Sequence, residues 1–166
     1  MSEPSVSRLL PQDWQAYREI RLAMLQESPR SYGGTHAQAA NFDEQLWRQR
    51  LAGNAVFLAG VGHMPAGSAT YSEFGMTDPG DCALYGMWVD PRFRRTGVGR
   101  ALVDAVVAQA RAVGRRRVIL HVVADNDSAT SLYQRAGFVP TGHTVPHRDD
   151  DQVVEMELVL QDGLDL

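Results

Sequence analysis

Val89-Asp90-Pro91-Arg92-Phe93-Arg94-Arg95-Thr96-Gly97-Val98-Gly99-Arg100 decides how this chain folds. The apolar run Ala83 to Val89 predicts a strand that Asp90-Pro91 ends. Past the two glycines, Leu102, Val106, Ala110 and Val113 recur on one helical face, and Gly114 stops the helix. A strand thus turns through arginines and glycines into a helix start. The first backbone amides of a helix have no partner within it, and its dipole is positive there, so such a turn suits a phosphate. Gly97 and Gly99 let an anion approach the main chain. A bare Gly-x-Gly would more often serve packing alone; the strand before it and the arginines beside it favour anion binding.

Downstream, Arg117 to Ala124 is almost continuously apolar, which predicts a strand buried on both faces. Asp125-Asn126 caps a helix that runs to Ala136 and stops at Gly137. Phe138 to Val145 and Gln152 to Leu160 read as closing strands around the loop Pro146 to Asp151. Upstream, a helix is predicted from Pro11-Gln12-Asp13 through Leu25, and a shorter one from Asn41 through Leu51. Ala55 to Val61 and Ser68 to Phe74 read as a hairpin around the turn Gly62 to Gly67. If the strands flanking the Val98 helix are neighbours, they pair in parallel with that helix as the crossover. The expectation is one domain, 1–166, of the α/β (α+β) class, with helices on a mixed sheet.

Composition removes several chemistries. All 16 residues of the Lys+Arg count are arginine, so neither a Schiff-base lysine nor a P-loop lysine is available. One cysteine, Cys82, forms no internal disulfide framework and no multi-cysteine metal site. No stretch reaches the roughly 20 apolar residues that span a bilayer, and the first ten residues lack a signal-peptide pattern, so no membrane is expected and a cytoplasmic location is the default. Net charge is −4, yet eight arginines and one acid lie between Arg92 and Arg117. A basic segment in an acidic chain points to one anionic ligand rather than to nucleic acid. Arg111 and Arg115 to Arg117, at a helix end, read as solvated.

Arg94-x-x-Gly97-x-Gly99 resembles the acetyl-CoA pyrophosphate signature of the GNAT N-acetyltransferase superfamily, Gln/Arg-x-x-Gly-x-Gly/Ala. A second element, Asn126-x-x-Ala129 followed by Leu132-Tyr133-x-x-x-Gly137-Phe138, lies at the family's distance from it. The resemblance implies a GNAT-like central sheet whose parallel strand pair splays apart. It implies acetyl-CoA as acyl donor and direct attack of a primary amine through a tetrahedral intermediate. Backbone amides of Arg95, Thr96, Gly97, Val98, Gly99 and Arg100 would hold the pyrophosphate, with Arg94 and Arg95 as charge partners. Met87, Trp88 and Val89 would align the pantetheine arm, and an amide there would face the developing oxyanion. Asn126 would contact the cofactor arm, cap its helix, or both.

Tyr133 is the implied general acid for the departing thiolate: a phenol near pKa 10 keeps its proton at neutral pH. Packing with Leu132 and Phe138 is its alternative role. The strand Ala83 to Val89 carries no acid, so the base is not marked. Glu73 is one candidate; His121, with an unperturbed pKa of about 6.5, is the weaker one, and a water relay would leave no trace in sequence. His143, His147 and Asp149 to Asp151 have no metal-ligand spacing and read as a solvated hairpin turn, so no metal is expected. The acceptor is expected to be a small-molecule amine, walled by the first two helices and the loop around Tyr32 to His36. A protein or peptide amine, a non-catalytic acyl-CoA-binding module and a homodimer all stay open.

Overall fold

A computed structural model describes residues 2–29, 31–147 and 150–161, with backbone alone at 150–154 and 161. Seven strands form one sheet in the order β1-β2-β3-β4-β5-β7-β6. They are β1 (Ser5–Leu9), β2 (Ala55–Val61), β3 (Met64–Ser72), β4 (Asp81–Val89), β5 (Arg117–Val123), β6 (Val139–His147) and β7 (Asp150–Gln161). Every neighbouring pair is antiparallel except β4 and β5. The helices are α1 (Trp14–Glu27), α2 (His36–Ala40), α3 (Glu44–Gly53), α4 (Val98–Ala112) and α5 (Asp127–Arg135). The mixed α/β architecture read from the sequence is therefore the one observed.

Two cores lie on opposite faces. On one, α4 inserts Val98, Leu102, Val103, Val106 and Ala110 against β2 to β5, joined by Tyr133 and Phe138. On the other, α1 and α3 bury Tyr17, Ile20, Met24, Leu25, Trp47 and Leu51 against Val56 and Trp88. Burying a large apolar side chain stabilises by about 1.5–3 kcal/mol, so each helix is held mainly by its stripe.

Four sequence readings need correction. β1 was not foreseen, because a five-residue edge strand with two serines and an arginine carries little hydrophobic signal. Nor was α2, nucleated by a capping box in which Thr35 accepts from the Gln38 amide. The β2–β3 turn is only Gly62-His63, since Val61 already pairs with Met64 and Gly62 adopts φ +61°. And β5 is not buried on both faces. Val118, Leu120 and Val122 are buried while His121 is exposed, because α1 and α3 do not extend over this half of the sheet.

Candidate active site

The site is a wedge opened by the sheet itself. β4 and β5 are paired only at Asp81–Arg117, Cys82–Val118 and Ala83–Ile119. Beyond that point β4 continues with β3 to Val89, while β5 continues with β7 to Val123. Salt bridges and backbone bonds hold the closed end. Arg117 chelates the Asp81 carboxylate through two bonds of 2.8 Å, and the Gly80 carbonyl accepts from the amides of Arg116 and Arg117. Arg115 grips Glu73 at 2.7 Å and also donates to the Pro79 carbonyl. Arg115 and Arg117, read from sequence as solvated, are thus ion-paired staples that remain partly exposed.

A bulge helps to open the other end. Between Ser68–Trp88 and Thr70–Tyr85, β4 advances three residues against two on β3, and Gly86 sits there at φ +60°. Only glycine takes that conformation without strain, and the extra residue re-aims the backbone of Met87. Gly67 permits a close approach on the adjacent strand: a Cβ there would lie 2.5 Å from the Trp88 carbonyl oxygen.

Past the open end of β4, the chain turns through the 3-10 helix 91–93 into α4. Gly97 caps α4 at φ +90°, and the first backbone acceptance is from Ala101 to the Gly97 carbonyl. The amides of Val98, Gly99 and Arg100 have no acceptor among the described residues. The two glycines differ in role. Gly97 supplies a left-handed turn in open space, whereas a Cβ on Gly99 would press to 3.0 Å from a Leu132 methyl of α5.

The arginines here are largely occupied. Arg92 binds Asp90 and Arg100 binds Asp104. Arg94 donates to the Val89 carbonyl and to the Glu27 carboxylate at 3.1 Å. Arg95 is exposed, has no partner among the described residues, and sits at φ +63°, the one non-glycine residue with positive φ among them. Backbone strain of this kind is held by the surrounding structure and concentrates at functional loops. Sequence reasoning ranked Arg94 first as the phosphate partner; the geometry leaves Arg95 free for that role. Thr96 donates to the Phe93 carbonyl and so braces the turn.

Tyr133 lies on the α5 side of the wedge, 6% exposed, its ring 5.9 Å from Phe138. Its hydroxyl has no hydrogen-bond partner among the described residues, and burial pushes the phenol well above its ordinary range. Asn126 caps α5 by accepting from the Ala129 amide at 3.2 Å.

The two candidate bases separate. Glu73 lies beyond the closed end of the β4–β5 pair, where Tyr71 and Arg115 hold its carboxylate below the usual range. That removes it from the wedge and weakens it as a proton acceptor. His121 lies two residues past the last β4–β5 pair, on the face opposite α4, with its side chain 39% exposed. Its Nε2 is 3.3 Å from Glu157, the residue directly across on β7, and Thr141 donates to the other Glu157 oxygen at 3.1 Å. His147 also departs from its sequence reading. It is buried on β6, 3.8 Å from Glu155, while Arg148 and Asp149 lie outside the described residues.

The α1 face of the wedge carries Glu27 and Arg21, which the sequence did not single out, and Tyr32, from the loop expected to wall the acceptor. Glu27 accepts from the Trp88 indole at 2.8 Å as well as from Arg94. Tyr32 donates to the Met87 carbonyl. Arg21 lies over Gly86 and faces the Tyr32 ring at 5.8 Å. Gly86 had a readable signal, since a glycine inside a strand pattern marks a bulge or a close approach.

Comparison with known proteins agrees with this geometry. The model of the acetyltransferase (GNAT) family matches residues 18–138. A mycothiol acetyltransferase from Geodermatophilus obscurus is 44% identical over 62 residues, 37% of this chain and 20% of that enzyme. The N-alpha-acetyltransferase RimI of Mycobacterium tuberculosis is 36% identical over 76 residues, 46% of each chain. These matches therefore span a fifth to a half of the relatives' lengths. The yncA protein of Salmonella typhimurium, solved with its cofactor acetyl-CoA, shares the fold at a TM-score of 0.74 and 18% identity, covering 96% of this chain and 94% of that one. With a family match that spans both the phosphate turn and the wedge, the chain belongs to the acetyltransferase (GNAT) family.

Proposed function

We propose that this protein is an acetyl-CoA-dependent N-acetyltransferase acting on the primary amine of a small molecule, with residues 1–166 as its single catalytic domain. The observation that carries this reading is the convergence at one place of the open β4–β5 wedge, the free amides starting α4, the unpaired Arg95 and the unpartnered Tyr133 hydroxyl. The amides from Arg95 to Arg100 and the Arg95 guanidinium bind the pyrophosphate, which a helix start favours. Arg94, tied to Glu27, orients the loop. Met87, Trp88 and Val89 pair with the pantetheine arm, and the bulge turns a backbone amide toward the thioester oxygen.

His121 takes the proton of the attacking amine, with Glu157 orienting its ring. The Tyr133 hydroxyl donates a hydrogen bond to the departing thiolate and relays it a proton, which the phenol regains from solvent. Because burial raises that phenol, it stays protonated wherever the enzyme works. Tyr32, bonded to the Met87 carbonyl, narrows the approach to the wedge, which favours a compact acceptor over a folded protein. A peptide amine is the second reading, favoured by the similarity to RimI. A cytoplasmic location fits this chemistry.

Calorimetric titration with acetyl-CoA and coenzyme A, followed by thiol release on an amine panel, tests the proposal. Micromolar binding of both, with turnover that His121→Asn reduces, is the expected result. A folded protein that binds neither would overturn it.

A further inference from the structure

The substrate class is written on the α1 face of the wedge. Arg21 projects from α1, and one of its terminal nitrogens lies 3.7 Å from the Cβ position that Gly86 leaves vacant at the bulge. Its terminal nitrogens donate to the Met24 sulfur at 3.1 Å and to the Gly33 carbonyl at 3.0 Å. Its central carbon lies over the Tyr32 ring, 5.8 Å from the ring centre. No carboxylate among the described residues pairs with it. The acids that share this face are committed elsewhere: Glu27 to Arg94 and Trp88, Glu157 to His121, and Glu155 to His147.

A partly buried guanidinium held by a thioether, one carbonyl and an aromatic ring is under-neutralised. Withdrawal from water lowers its pKa and the Arg50 cation adds to that, while the phenols of Tyr17, Tyr85 and Tyr32 act the other way. Such a charge is costly unless an anion meets it, and a guanidinium fork matches a carboxylate through two parallel bonds. The location decides what the anion belongs to. Arg21 stands over the bulge beside Met87, where the acetyl group is presented, and away from the phosphate turn that receives the other end of acetyl-CoA.

We propose that Arg21 anchors a carboxylate of the acceptor, so that the natural substrate is an amino acid or a similarly compact amine carrying a free carboxylate. This rests on the acetyltransferase reading above and specifies its acceptor. The carboxylate on Arg21 fixes one end of the molecule while its amine reaches the wedge between β4 and β5.

The test uses matched acceptors that differ only in this group: free amino acids and their carboxamides, β-alanine and 3-aminopropanamide, and O-phosphoethanolamine as the phosphate arm. Thiol release at saturating acetyl-CoA is measured for wild type, Arg21→Gln and Arg21→Lys. The expected result is kcat/KM about 10- to 100-fold higher for the acids than for their amides in wild type, the value of a charge-assisted bond pair. That ratio falls close to one in Arg21→Gln and is partly restored in Arg21→Lys, while calorimetric affinity for acetyl-CoA stays that of wild type. If Arg21 merely pins the Gly33 segment, its loss lowers acids and amides alike, and the unchanged ratio overturns the proposal. Equal use of acids and amides by wild type, or preference for the phosphate, overturns it too and leaves the acetyltransferase reading standing. Protein that binds acetyl-CoA but acetylates no amine in the panel overturns both.

Discussion

At the scale of single residues, Tyr133 and Arg95 carry the sharpest expectations. Tyr133→Phe keeps the ring that packs on Phe138 and removes only the unpartnered hydroxyl. Turnover is expected to fall by about 10²-fold, the usual contribution of a positioned acid, with calorimetric affinity for acetyl-CoA unchanged. Equal turnover would make Tyr133 a packing residue. Arg95→Gly relieves an unfavourable backbone and removes a free cation, so it should weaken coenzyme A binding while raising thermal stability slightly. A variant that loses stability and keeps affinity would contradict both parts.

Elements show why the wedge opens where it does, and a pH dependence follows. Asp81 is nearly buried, and the Arg117 hydrogen bonds lower its carboxyl below the ordinary value. A lowered folded pKa stabilises the protein above the unfolded carboxylate value, about 3.9, and that contribution is lost as pH falls through the lower folded value. Asp81→Asn is therefore expected to cost about 1 kcal/mol near neutrality, modest because the Arg117 side chain is 41% exposed. The melting-temperature gap to wild type should close as pH drops below 3.9; a constant gap would assign the loss to packing.

These elements were unevenly legible in sequence. β4, α4, β5 and α5 were readable because long apolar runs and helical stripes end at Asp90-Pro91, Gly114, Asp125-Asn126 and Gly137. The turn proposed to bind phosphate was readable because glycines and arginines crowd a strand–helix junction. The proposed base was not. His121 meets Glu157 only through β5–β7 register, and β7 is inserted between β5 and β6 rather than following chain order. Glu73 looked plausible because its position along the chain concealed that it lies at the closed end. Arg21 and Glu27 act on β4 from a helix some sixty residues away in sequence, which no local pattern records.

For the molecule as a whole, acetyl-CoA binding is expected to raise the melting temperature with concentration, since a ligand bound only by the folded state adds about 2.7 kcal/mol at 100 times its Kd. The link between Glu27, Trp88 and Arg94 adds a different consequence. One carboxylate receives both the Trp88 indole N–H and the guanidinium that leads into the phosphate turn. Trp88 is 4% exposed, and Trp47, on α3, is enclosed by Tyr17 of α1 and by Phe42 just ahead of α3. A pyrophosphate at the turn is expected to change the field at the Trp88 indole and to leave Trp47, and Trp14 at the opposite end of α1 from Glu27, unaffected. The molecule thus contains its own optical gauge: its ultraviolet emission should shift as coenzyme A is added, and Trp88→Phe should silence the shift, so that occupancy can be followed without a label.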